Sequence, residues 1–175
     1  MALPDGVACF LAPNPSIMTG EGTNTYLVDG RQGGCAVIDP GPLHEAHLAR
    51  VAEAAANLGG LRAILVTHGH PDHVGGAARL RALSGAPILA YGREDGVPAA
   101  DALLADGEAL AVGDRTLIAL HTPGHRFDHL CFLLPETGTL FAGDLVAGTG
   151  TVVIAPPEGD LSHYLASLHR LLTLE

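Results

Sequence analysis

The sequence predicts an α/β protein arranged as a sandwich of layers, and three observations support that expectation. Short apolar runs rich in β-branched residues recur along the whole chain. Stretches with helical spacing separate only some of them. The strand-like runs therefore come in groups, which argues against a simple alternation of strand and helix and for packed sheets with helices outside them.

In chain order, "VACFLA", "NTYLV" and "CAVID" predict the first strands. "PLHEAHLARVAEAAANLGG" predicts a helix with Pro42 at its first position and Gly59-Gly60 as its stop. "AILVT" is the next strand, ended by Gly69 and Pro71, and "HVGGAARLRALSG" is a second helix candidate. "PILAY", "TLIAL", "LCFLL", "TLFAG" and "TVVIA" continue the strands. "DLSHYLASLHRLLTLE" is an amphipathic third helix, with Leu161, Tyr164, Leu165, Leu168, Leu171 and Leu172 on helical spacing. No linker or low-complexity tract interrupts the chain, so one domain over 1–175 is expected.

Composition bounds the function. At 175 residues the chain is long enough for one sizeable core. A hydrophobic content of 47% and a mean hydropathy of +0.29 exclude a disordered chain. The formal net charge is −10, Trp is absent and Lys and Arg do not cluster, so stable nucleic-acid binding is not indicated. No apolar run reaches membrane-spanning length, so no membrane partner is expected. The start, "MALPDGVACFLAPNPS", lacks a basic n-region, which makes the cytoplasm the expected compartment. Cys9, Cys35 and Cys131 form no C-x-x-C pair, so they are read as small buried residues in strands and not as a disulfide or thiolate zinc site.

One stretch carries the chemistry. In "ILVTHGHPDHVGG" three histidines and an aspartate follow a buried strand within residues 68–73. A loop at a strand end lets such side chains converge. His68 and His70 can offer imidazole nitrogen to one metal, and Asp72 and His73 can face a second. Imidazole with carboxylate suits zinc, and iron or manganese less exclusively. Asp72 alone would also serve as the N-cap of the following helix. Further on, His121, His125 and His129 are spaced by four, but Pro123 and Gly124 speak against a helix that would align them. Asp39 before Pro40-Gly41 and Asp144 after Gly143 read equally well as turn residues. Asn24 in "GTNTY" can open a hairpin in the left-handed conformation and is given no catalytic role.

"THGHPDHVGG" resembles the signature of the metallo-β-lactamase fold superfamily. "AVIDPG", "HTPGHRFDH" and "LFAGD" resemble further elements of that family, in its order and over nearly the whole chain. "GEGTNTYLV" with "IDPG" is most similar to the lactamase-beta-like subgroup that includes small endoribonucleases, with glyoxalase II close behind. The resemblance implies an αββα four-layer sandwich. It implies a first metal on His68, His70 and His125, a second on Asp72 and His73, and Asp144 bridging both. It implies that Asp39 accepts a hydrogen bond from a ligand imidazole. Two zinc ions would share a hydroxide that Asp72 helps to orient and that attacks an ester, thioester or phosphodiester, either a small molecule or single-stranded RNA. A mononuclear iron sulfur dioxygenase, or a metal-binding fragment with weak catalysis, are the alternatives.

There are departures. Arg126 stands where the family often has a small hydroxyl residue, and its bulk is expected to alter access. Asp144 stands where some lactamases carry cysteine, which speaks against antibiotic hydrolysis. The family's last histidine ligand has no counterpart before Glu175; His163 and His169 are expected at the surface or in packing. A longer natural chain, or a fragment with a weakened second metal site, follows from that reading.

Overall fold

The computed structural model describes residues 3–92, 97, 100–148 and 150–174. Its first sheet holds β1 (Val7–Leu11), β2 (Asn24–Asp29), β3 (Cys35–Ile38), β4 (Leu61–Leu65), β5 (Ile88–Tyr91) and β6 (Ala102–Leu104), in that spatial order. β1 to β3 pair antiparallel, and β3 to β6 pair parallel. The second sheet is antiparallel, in the order β10 (Thr139–Phe141), β9 (Leu130–Leu134), β8 (Arg115–His121), β7 (Ala109–Val112). The helices are α1 (Glu45–Asn57), the single turn α2 (Pro71–Val74), α3 (Ala77–Ser84) and α4 (Leu161–Leu171).

Alternation along the strands sorts the core into layers. Val37 and Ile64 face α1 and α3, where they meet Leu48, Val51 and Leu80. Their strand neighbours Ile38 and Leu65 face the other way, onto Leu117, Leu130 and Phe132 of the second sheet. Leu120, Cys131 and Leu145 on the far side of that sheet are covered by Tyr164, Leu168 and Leu171 of α4. Helix, sheet, sheet and helix therefore stack as the expected αββα sandwich, each layer driven by burial worth about 1.5–3 kcal/mol for a large apolar side chain.

Several local expectations need correction. Pro42 precedes α1; the helix starts at Glu45, with the His44 side chain accepting the His47 N–H at 3.3 Å. The second helix candidate is broken at Gly75-Gly76, because the Gly76 N–H leaves the helix to bond Gly41 O at 2.8 Å. Asp72 is no N-cap: His70 holds that position and Asp72 lies inside the turn. Asn24 is extended within β2 and not left-handed. "TVVIA" is not a strand, since the Val153 carbonyl is taken by a histidine side chain. β6 and β7, rich in Ala and Leu, carry no β-branched signal beyond Val112. Cys35 and Cys131 are buried as expected, but Cys9 is exposed. Leu161 and Leu165 of α4 and Leu172 at its cap are exposed at 59%, 47% and 83%. Glu175, the end of the third helix candidate, lies outside the described residues.

Candidate metal centre

The parallel strands β3 and β4 end side by side, and their carboxyl ends deliver the first groups. Asp39 follows β3 at φ +52°, a conformation a non-glycine residue seldom holds. Thr67 and His68 follow β4. Between the sheets, the Leu130 N–H donates to Thr67 O at 2.7 Å, so the start of β9 is fastened to the end of β4. The loop between β8 and β9 thereby carries His125, Asp128 and His129 to the same place, and the turn after β10 adds Asp144.

Four groups converge. One ligand atom each of His68, His70, His125 and Asp144 lies within 4.8 Å of all the others. His70 Nδ1 is 3.0 Å from both His68 Nε2 and His125 Nε2. Asp144 Oδ2 is 3.9 Å from His68 Nε2 and 3.6 Å from His125 Nε2. Two nitrogens on one tetrahedral ion at about 2.0–2.1 Å would sit about 3.3 Å apart.

The outer hydrogen bonds fix which nitrogens carry protons. The Thr67 hydroxyl donates to Asp39 Oδ2 at 2.8 Å and so accepts from His68 Nδ1 at 2.9 Å. His125 Nδ1 donates to Val153 O at 2.6 Å. His70 turns Nε2 towards Glu158, 3.6 Å away. His68 and His125 thus point a lone pair inward, and His70 does the same when its proton sits on Nε2, the nitrogen that faces Glu158. Burial, followed by the charges of the neighbouring histidines, holds His68 well below its ordinary value and lowers His70 as well. A cluster of neutral donors beside a carboxylate fits a cation.

A second pocket adjoins the first across Asp144. His73 Nε2 lies 3.2 Å from Asp144 Oδ1 and 3.5 Å from Asp72 Oδ2. His73 Nδ1 donates to Asp39 Oδ2 at 2.8 Å. Burial would lower His73, but Asp39 and Asp144 outweigh it and hold it well above its ordinary value. The proton on His73 supplies positive charge where a second cation would go. Burial would raise the Asp144 carboxyl, but the hydrogen bond and charge of His73 bring it down to about 2.

Other placements follow from the sequence less directly. His129 is fully buried; its Nε2 accepts the Asp144 N–H at 3.2 Å and its Nδ1 meets Thr122 Oγ1 at 2.9 Å. It therefore orients Asp144 instead of joining the cluster. His121 stacks on Tyr91 at 3.8 Å and bonds Phe127 O. His163 and His169 are exposed on α4. Arg126 is buried, with Nε on Asp128 Oδ1 at 2.8 Å and a terminal nitrogen on Glu158 Oε1 at 2.7 Å. Its bulk is turned into this bridge. Asp128 also accepts the Gly69 N–H at 2.9 Å, and Thr23 Oγ1 donates to Asp72 Oδ2 at 3.3 Å. Thr67, Asp128, Glu158 and Thr23 escaped the sequence reading. Thr23, Thr67 and Asp128 lie inside the quoted motifs; only Glu158, a lone exposed carboxylate, carried no signal at all.

An αββα sandwich with a histidine and aspartate cluster between the ends of its sheets defines a class of metal-binding proteins. The model of the Metallo-beta-lactamase superfamily matches residues 18–175, and the chain belongs to that superfamily. It is 34% identical over 164 residues to the Atrochrysone carboxyl ACP thioesterase of Claviceps purpurea, covering 93% of this chain and 51% of that protein. The metallo-beta-lactamase family protein TTHA1429 from Thermus thermophilus superposes with a TM-score of 0.80 at 28% identity, covering 98% of this chain and 71% of the other. TTHA1623, solved in a di-iron-bound form, matches at 0.73 and 29%, covering 88% and 83%. The chain spans about half the length of the first curated relatives it matches. Among the described residues no helix is long and apolar enough to cross a membrane.

Proposed function

We propose that the chain carries the centre of a metal-dependent acyl hydrolase, with a thioester or ester as substrate. The convergence of three inward-facing imidazoles on Asp144 supports this reading. His68, His70 and His125 would hold one ion, Asp72 and His73 the other, and Asp144 both. Zinc suits this donor set; iron, as in the di-iron relative, and manganese suit it less exclusively. A divalent pair supplies a Lewis acid for the carbonyl oxygen and a water acidic enough to attack near neutral pH.

The chain's own groups do the rest. Asp72, half-buried and tethered by Thr23, is the carboxylate placed to accept the proton of the attacking water. Asp39 and Thr67 keep His73 and His68 oriented. Thioesters are favoured over phosphodiesters by the thioesterase relative and by the net charge of −10, which repels a polyanion such as RNA.

The test is thiol release from an acyl-N-acetylcysteamine thioester by zinc-loaded protein, beside a phosphodiester control. Metal-dependent release is expected, and Asp72→Asn should lower it by about 100-fold or more with little change in melting temperature. Faster cleavage of the phosphodiester would move the substrate class to RNA. One iron per chain with oxygen uptake on a persulfide would replace hydrolysis by the dioxygenase reading.

A further inference from the structure

His125 and Asp144 sit on two separate loops, and neither loop is held at its ligand by a strand. α4 touches both. The Tyr164 hydroxyl donates to Leu145 O at 2.8 Å, one residue past Asp144. The Ser167 hydroxyl donates to Pro123 O at 2.7 Å, two residues before His125. The Asp160 N–H at the head of the helix donates to Gly124 O at 2.9 Å. Gly124 has φ +145°, and a Cβ there would overlap the Tyr164 backbone.

Ser167 is the one buried residue in a helix whose other inward side chains are large and apolar. A small hydroxyl is poor filling for that position. An alanine would bury as well without needing a partner, and the apolar contacts of Tyr164 would be kept by phenylalanine. The two hydroxyls instead find carbonyls in the two ligand loops, and those carbonyls would otherwise be unsatisfied beneath the helix.

We infer that Tyr164 and Ser167 are positioning residues that fix the distance between His125 and Asp144 at the first metal, with α4 as the bar that joins the two loops. The inference rests on the metal-centre reading above. Tetrahedral donors must be set before the ion arrives, and loss of such supporting bonds costs affinity at the ion rather than at the fold.

Cobalt(II) tests it, because its visible absorption reports tetrahedral coordination directly. Metal-free protein is titrated with cobalt(II) against a competing chromophoric chelator, and chelator-treated samples are melted in parallel. Tyr164→Phe and Ser167→Ala should each weaken the first cobalt about tenfold and alter its absorption. Leu168→Ala, which thins the apolar packing of α4 on Leu120, Cys131 and Leu145 but removes no hydrogen bond to either loop, should lower the melting temperature and leave cobalt affinity within about twofold of the parent.

Unchanged affinity in Tyr164→Phe and Ser167→Ala overturns the inference. So does equal weakening by Leu168→Ala, which would reduce the role of α4 to packing. If Ser167→Ala does not fold, Tyr164→Phe decides alone. A parent chain that takes up no cobalt overturns the metal centre and this inference with it.

Discussion

Asp39 shows how much of the site one residue settles. Its carboxylate accepts from Thr67 N, Thr67 Oγ1 and His73 Nδ1, all at 2.8 Å. It thereby sets the tautomer of His73 directly and that of His68 through Thr67. Asp39→Asn keeps the shape and turns one acceptor into a donor. We expect it to weaken metal at the second pocket by about 10–100-fold, measured by equilibrium dialysis against buffered zinc. The residues also set the response to acid when metal is stripped away. Burial, then the charge of His125, lowers His129 to about 3, and His68 lies well below its ordinary value. Their unfolded counterparts take a proton near pH 6.5. Below that pH the unfolded state binds more protons, so stability falls, by up to about 1.4 kcal/mol per pH unit for His129. His73 works the other way: raised by Asp39 and Asp144, it adds stability below pH 6.5 that is lost as pH climbs through its folded value. His47 and His70 are lowered too, so the loss should prevail. Urea midpoints in chelator should drop as pH falls from about 6.5 to 5, where the His73 contribution no longer changes; a midpoint that holds steady there would overturn the assignment of the lowered histidines. At this scale the sequence was informative where residues crowd together, as at 68–73. It was silent on Glu158, whose partners Arg126 and His70 lie far off along the chain.

Elements place these residues by ending at the right point. Gly143 closes β10 at φ +50°, and a Cβ there would lie 2.7 Å from His129 Nε2 and 3.0 Å from the Thr67 side chain. The same nitrogen of His129 accepts the Asp144 N–H, so nothing larger than glycine lets the turn lie against it. Gly143→Ala should cost about 1–3 kcal/mol and release cobalt from the first site, seen as a lowered melting temperature and a lost visible band. The long elements were readable because their patterns repeat: α1 buries Leu48, Val51 and Ala55 at helical spacing, and β8 alternates buried and less buried residues over most of its length. β6 and β7 were not, since Ala and Leu suit either state and only pairing with a neighbouring strand decides. "TVVIA" misled for the opposite reason. Its composition is that of a strand, but the bond from His125 claims its carbonyl, and a side chain cannot extend a sheet.

Across the whole molecule the centre is a joint between the two sheets. His68, His70, Asp72 and His73 come from the loop and turn that follow β4, inside the first sheet, and His125 and Asp144 from loops of the second. An ion bound only by the folded chain should stabilise it by about 2.7 kcal/mol at a hundred times its dissociation constant. The two pockets should differ. The first offers four donors, and the second has Asp72, His73 and the shared Asp144. Calorimetric titration of metal-free protein should therefore resolve one tight and one weaker zinc; two equal sites would require a further donor. The layered architecture was legible from grouped strands, but the depth of the site between the sheets was not, because it depends on bonds between segments far apart in the chain, such as Leu130 to Thr67 and Gly69 to Asp128. One feature bears on time rather than strength. His125 leans on Val153, in a stretch at 151–154 that belongs to no sheet and whose backbone amides have no backbone partner among the described residues. Such a stretch opens far more often than the core does. Each opening would release the His125 ring from its acceptor, so a bound ion is expected to exchange faster when that strap is weakened, as by Val153→Gly, with metal release to a chelator as the measurement.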